Sequence, residues 1–223
     1  MKIYYARTDI LVNEDVISSA MELLPEYRLQ KLNRMKSNQS RVQCIAAGLL
    51  LEYGLREYGI CGKNVTFHEN RDGKPSILEH PELHFNLSHS GEYVALVMSS
   101  VPVGIDIEKL RSGQEKLVKR FFSEEEAKWL MEGFDDAAFT KMWTRKEAFI
   151  KARGIGMRMP LDSFSTTTDV IEINDKMPVE MRTDYVIHYV KSHQINEEYW
   201  LSVCQEEREE DCIPVEVKIG ELL

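Results

Sequence analysis

Six residues, VGIDIE at 103–108, alternate isoleucine with carboxylate, Ile105 and Ile107 against Asp106 and Glu108. Successive side chains of an extended chain leave opposite faces. The pattern therefore predicts a strand whose two acids share one face while the isoleucines turn to a core. Downstream the period changes. FFSEEEAKWL at 121–130 carries a helix start, with Ser123 as N-cap and Glu126 three residues on, as in a capping box. KMWTRKEAFIKARG at 141–154 follows as a second helix, anchored by Met142, Phe149 and Ile150 and ended by Gly154. On it Glu147 and Lys151 are four apart and face the same way.

Upstream the order is similar. Residues 1–10 read as a short strand, and a helical region in two pieces begins near Pro25. The second piece, about Gln39 to Tyr58, spaces Val42, Ala46, Leu49, Leu50 and Tyr53 by threes and fours, an amphipathic helix that Gly59 can end. A turn-rich stretch over 62–82 contains RDGKP. It leads into HFNLSHSGEYVALVMS, two strand-like segments about a Ser-His turn. The tail from Leu161 holds further alternating segments, DYVIHYV and YWLSVCQ, suited to antiparallel strands. The fold class expected is α/β (α+β), as two compact halves, 1–102 and 103–223.

Of the 223 residues, 28 are basic and 37 acidic, a net charge of -9 that disfavours nucleic acid or an anionic membrane as a general partner. The N-terminus lacks the apolar core of a signal peptide, and no apolar run approaches a bilayer span. Cys44, Cys61, Cys204 and Cys212 form no C-x-x-C pair, so a reducing, cytoplasmic setting is expected.

Asp106, Glu108 and Glu147 could supply hard oxygen ligands to Mg²⁺ while leaving positions for phosphate and water. The same residues could equally be a strand-end acid, an exposed acid and half of a helical ion pair. Basic residues gather beside them: 141–158 holds six against one acid, with Lys146 and Lys151 flanking Glu147 and Arg145 and Arg153 nearby. A second acid-free basic stretch carries Arg28, Lys31, Arg34, Lys36 and Arg41. Both suit a polyphosphate, and both suit a solvated helix face. Ser88 and His89 at the expected turn have donors for a phosphate. As a hydrolase dyad they fail, because adjacent side chains on an extended backbone diverge and no G-x-S-x-G elbow is present. His80, His84 and His89 lack a zinc-ligand spacing, and G-I-G at 154–156 lacks the Rossmann pattern.

Taken together, GKP at 73–75, FNLSHS at 85–90, VGIDIE at 103–108, WTRKEAFIK at 143–151 and GIGMRMPLDSF at 154–164 resemble the 4'-phosphopantetheinyl transferases of the surfactin-synthetase-activating type. The resemblance runs in order over nearly the whole chain. It implies two similar α/β halves forming a pseudodimer within one chain, with coenzyme A between them and a monomer as the working state. It also implies Mg²⁺-dependent transfer of phosphopantetheine from coenzyme A to a serine of an acyl or peptidyl carrier protein, releasing adenosine 3',5'-bisphosphate. Asp106, Glu108 and Glu147 would then hold the metal, and Glu147 would help deprotonate the serine, directly or through water. Lys151 would contact the pyrophosphate. Lys74, Ser88 and His89 would receive the 3'-phosphate and adjacent groups, with Arg41 on the same ligand surface and Trp143 supporting its helix. The family's first basic pair falls near 28–31; Tyr27 and Gln30 stand there instead, with Arg28 and Lys31 beside them as substitutes. A different Mg²⁺-dependent enzyme acting on a nucleotide diphosphate, and an inert scaffold, are the alternatives.

Overall fold

A computed structural model describes residues 1–11, 13–112, 115–133, 135–174, 185–209 and 212–223. The chain divides into two compact units, residues 1–100 with 211–223, and residues 101–210. Each is a mixed α/β body in which a long helix lies on a four-stranded sheet.

The first unit opens with strand β1 (Lys2–Arg7), then helices α1 (Glu14–Leu23), α2 (Glu26–Leu32) and α3 (Asn38–Arg56). The short strands β2 (Phe67–Glu69) and β3 (Pro75–Ile77) pair with each other, and β4 (His84–Ser90) and β5 (Tyr93–Ser99) form a hairpin. Helix α1, absent from the sequence reading, starts where the Asn13 side chain accepts from the Asp15 amide at 2.8 Å. Helix α3 matches the expected one closely at its start, and Gly59 beyond its end takes φ 72°. It is buried on nearly every side from Gln43 to Leu55 rather than along one stripe, because it lies against β1, β4 and β5 and is also packed by α1 and α2.

The second unit holds β6 (Val103–Lys109), α4 (Glu115–Phe121), α5 (Glu124–Glu132), α6 (Asp136–Arg153), β7 (Val170–Asn174), β8 (Tyr185–Asn196) and β9 (Tyr199–Gln205). Strand β8 contains most of DYVIHYV; its Asp184 lies outside the described residues. The sheet order is β6-β9-β8-β7, antiparallel throughout. Ser123 and Glu126 form the expected capping box on α5, and Gly154 caps α6 at φ 63°.

Beyond this sheet the chain returns to the first unit, where β10 (Val215–Glu216) runs parallel to β1 and the first sheet becomes β10-β1-β5-β4. A division into 1–102 and 103–223 thus differs from the structure at the tail. Val217 and Ile219 bury their side chains in the core of the first unit, and the Val217 amide donates to the Tyr5 carbonyl at 2.8 Å. A two-residue strand is too short to show a period, so its partner could not be read from the sequence.

Helix α6 approaches β6 more closely than side chains normally permit. A β-carbon built on Gly104 would overlap the Ala148 carbonyl oxygen and the Ala152 amide nitrogen and stand 2.8 Å from the Lys151 carbonyl carbon. Glycine inside a strand here lets a helix backbone lie directly on the sheet. No helix among the described residues is long and apolar enough to cross a membrane.

Candidate active site

The approach at Gly104 determines which side chains meet. Asp106 pairs across the sheet with Ser202, and the Ser202 hydroxyl lies 2.7 Å from the Thr144 hydroxyl of α6. Asp106 and, two residues on, Glu108 therefore face α6, while Ile105 and Ile107 are buried on the opposite face. The Lys151 ammonium donates to Asp106 Oδ1 at 2.6 Å; the carboxylate is 5 % exposed and the lysine 28 %. Glu108 receives the Arg111 guanidinium at 3.4 Å. The Arg111 guanidinium also lies 5.5 Å from the ring centroid of Trp143. Trp143 packs against Phe121, Phe122 and Phe139, which fits its expected position as a support of the helix.

Glu147, one turn before Lys151, completes the group. Burial raises its carboxyl pKa above the ordinary glutamate range; the Asp106 charge raises it further, Lys151 pulls it back, and Glu108 and Arg111 act in the same opposed way. Between the ordinary and the raised pKa the folded protein holds a proton that the unfolded chain has lost, so stability falls as pH rises through that window. Glu147→Gln removes this loss. With chelator present, the variant is expected to melt above the wild type at neutral pH and to converge with it in acid, as thermal unfolding against pH would show.

Among the described residues no three His, Cys, Asp or Glu side chains are already gathered around a metal position. The donor chemistry nevertheless suits Mg²⁺. Asp106, Glu108 and Glu147 offer hard carboxylate oxygens, and Glu147, raised in pKa first by burial and then by the Asp106 charge, lies close enough to that carboxylate to share a cation with it.

The two basic neighbours of Glu147 on its N-terminal side do not join it. Lys146 is fully buried and pairs with the equally buried Glu126 at 2.6 Å, donating also to the carbonyls of Leu161 at 2.6 Å and Phe164 at 2.8 Å. Burial lowers the Lys146 pKa, against the pull of Glu126. Glu126 is completed by the Thr166 amide at 2.7 Å and hydroxyl at 2.9 Å. Arg145 is buried too, binding Asp169 at 3.0 Å and the Thr166 carbonyl at 2.7 Å. Both side chains tie α6 to the 161–169 segment. Of Arg145, Lys146 and Lys151, only Lys151 is thus placed beside the carboxylates, joined by Arg111, which sequence reasoning missed. Its signal was a cation three residues after Glu108.

In the first unit the expected ligand residues separate. Arg28 is buried and donates to the Cys44 carbonyl at 2.7 Å and sulfur at 3.3 Å, tying α2 to α3, so its charge is not presented at a ligand surface as expected. Lys31 pairs with Glu69 of β2 at 2.6 Å and stands 5.0 Å from the Tyr27 ring centroid. Burial works against its charge, but Glu69 and Tyr27 outweigh it and its pKa is raised. Arg41, in the first turn of α3, donates to the Leu32 carbonyl at 3.4 Å. Lys74 sits in the turn between β2 and β3, its amide held by the Asn70 side chain at 2.8 Å. Burial, followed by the Lys74 charge, lowers the pKa of His84.

Ser88 and His89 lie within β4, opposite Ala95 and Val94; the turn comes later, at Gly91, with φ 55°. They therefore leave opposite faces, Ser88 buried and His89 exposed. The divergence that removes them as a hydrolase dyad also prevents the two side chains from closing on one phosphate oxygen as a pair.

The sequence comparisons bear on what such a group of residues does. The family model described as the 4'-phosphopantetheinyl transferase superfamily matches residues 102–204, which include β6, α6 and the whole carboxylate group. The 4'-phosphopantetheinyl transferase Sfp of Bacillus subtilis is 30% identical over 208 residues, 92% of this chain and 92% of its own. The 4'-phosphopantetheinyl transferase gsp of Aneurinibacillus migulanus is 37% identical over 139 residues, 59% of this chain and 58% of its own. Similarity extending along 92% of both chains includes the two units described above, and the protein is accordingly an enzyme belonging to the 4'-phosphopantetheinyl transferase superfamily.

Proposed function

We propose that the protein is of the surfactin-synthetase-activating type and moves 4'-phosphopantetheine from coenzyme A to a serine of an acyl or peptidyl carrier protein, with Mg²⁺, releasing adenosine 3',5'-bisphosphate. The observation that carries this reading is the convergence of Asp106, Glu147 and Lys151 where α6 lies on β6. The extent of the similarity to Sfp supports the subtype.

In this reading the serine oxygen attacks the pantetheine-side phosphorus, the bond to the bridging oxygen breaks, and the bisphosphate leaves with that oxygen. Glu147 accepts the serine proton, directly or through water. Lys151 turns its ammonium to the leaving phosphate and stabilises the charge that develops there. Asp106, Glu108 and Glu147 would hold Mg²⁺, which neutralises the diphosphate when bound. Lys31, Arg41, Lys74, Ser88 and His89 belong to the 3'-phosphate end, His89 and Ser88 acting from separate faces. Arg28 contributes through packing.

Intact-mass measurement tests the proposal. Incubated with Mg²⁺, coenzyme A and a panel of apo carrier proteins, the enzyme is expected to add one phosphopantetheine to at least one carrier. The gain should vanish when that carrier's serine is replaced. Cleavage of coenzyme A at the same rate without any carrier would instead identify a nucleotide diphosphate hydrolase.

A further inference from the structure

Two cations already occupy the carboxylates assigned above to the metal. Lys151 lies 2.6 Å from Asp106 Oδ1, and Arg111 lies 3.4 Å from Glu108 Oε1 while its guanidinium stays over the Trp143 ring. A divalent ion bound to the same oxygens would stand against an ammonium and a guanidinium at contact distance. Like charges so close on a partly buried surface repel strongly, so the resident cations must withdraw.

We propose that Lys151 and Arg111 are the resident counter-ions of this carboxylate group, and that metal binding exchanges them onto the diphosphate of coenzyme A. This rests on the carboxylate assignment under the proposed function and adds Arg111 to the site as a diphosphate-binding residue. Metal alone must displace Lys151 and Arg111 from the carboxylate oxygens that hold them, with no phosphate to receive them. Metal with coenzyme A displaces them onto phosphate oxygens, which Arg111 meets with its planar fork and Lys151 as a point charge. Binding of the two is therefore cooperative, and each tightens the other by the same factor. Arg111 is half exposed and its pair with Glu108 correspondingly weak; Lys151 is bound to a nearly buried carboxylate and contributes more.

The test uses Mn²⁺ as the probe, read by electron paramagnetic resonance on the full chain with and without coenzyme A. Without coenzyme A, Arg111→Ala is expected to bind Mn²⁺ about three-fold tighter than the wild type. Lys151→Met is expected to bind it about ten-fold tighter. Arg111→Lys, which keeps the charge, should behave as the wild type. In the first two variants the gain in Mn²⁺ affinity caused by coenzyme A should shrink. If Mn²⁺ binds with coenzyme A but neither variant tightens it without coenzyme A, the exchange is wrong and the carboxylate assignment stands. If only one variant tightens it, the other residue is not a counter-ion. If Mn²⁺ does not bind under either condition, or binds Asp106→Asn as well as the wild type, the carboxylate assignment itself falls.

Discussion

Gly104→Ala is expected to lower stability by more than about 3 kcal/mol and to reduce transfer by about 100-fold in the molecules that remain folded. The new methyl group meets the backbone of α6 at Ala148, Lys151 and Ala152, and not a side chain that could rotate away. Either β6 or the helix must move. Glu147 and Lys151 are carried by that stretch of helix, and Asp106 by that strand, so any such shift separates the residues that act together. Thermal unfolding and turnover measured on the same preparation would check both effects. A variant with the melting temperature and turnover of the wild type would show that the contact at Gly104 does not hold the site.

Asp106→Asn should leave the fold largely intact and reduce turnover by about 100-fold to 1,000-fold, the equivalent of several kcal/mol at the transition state. The side chain keeps its shape and loses its charge. Lys151 then loses the charged group that holds it at 2.6 Å, and the proposed metal position loses a buried carboxylate. Steady-state turnover at saturating coenzyme A, beside circular dichroism to verify folding, measures the loss. Metal-dependent turnover close to that of the wild type would remove Asp106 from the reacting group.

The period-two pattern at 103–108 already separates the acids from the isoleucines, and the capping box at Ser123 and the glycine at 154 mark helix ends that the structure repeats. These are short-range signals, written within one turn or one strand. Depth is different. Six cations between 141 and 158 look alike in a charge count, yet Arg145 and Lys146 are turned into the second unit by carbonyls at 161, 164 and 166. Those acceptors lie fifteen or more residues away, so no local pattern records them. Arg28 follows the same rule, its acceptor sixteen positions on at Cys44. Ser88 and His89 show how polarity misleads locally: the polar pair resembles a turn, but the positive φ falls three residues beyond Ser88, at Gly91. Helix α1 does carry a local signal, Val16, Ile17, Ala20 and Met21 at helical spacing behind the Asn13 cap, but only Ala20 of these is fully buried and half of the helix is polar.

The strand at 215–216 gives vectorial synthesis an unusual order. Residues 101–210 leave the ribosome as one continuous stretch able to complete its own sheet, whereas the sheet begun by β1 acquires its β10 neighbour only after residue 216 has emerged. Until then the β1 edge presents unpaired backbone groups, and the earliest strand made is among the last to be sealed.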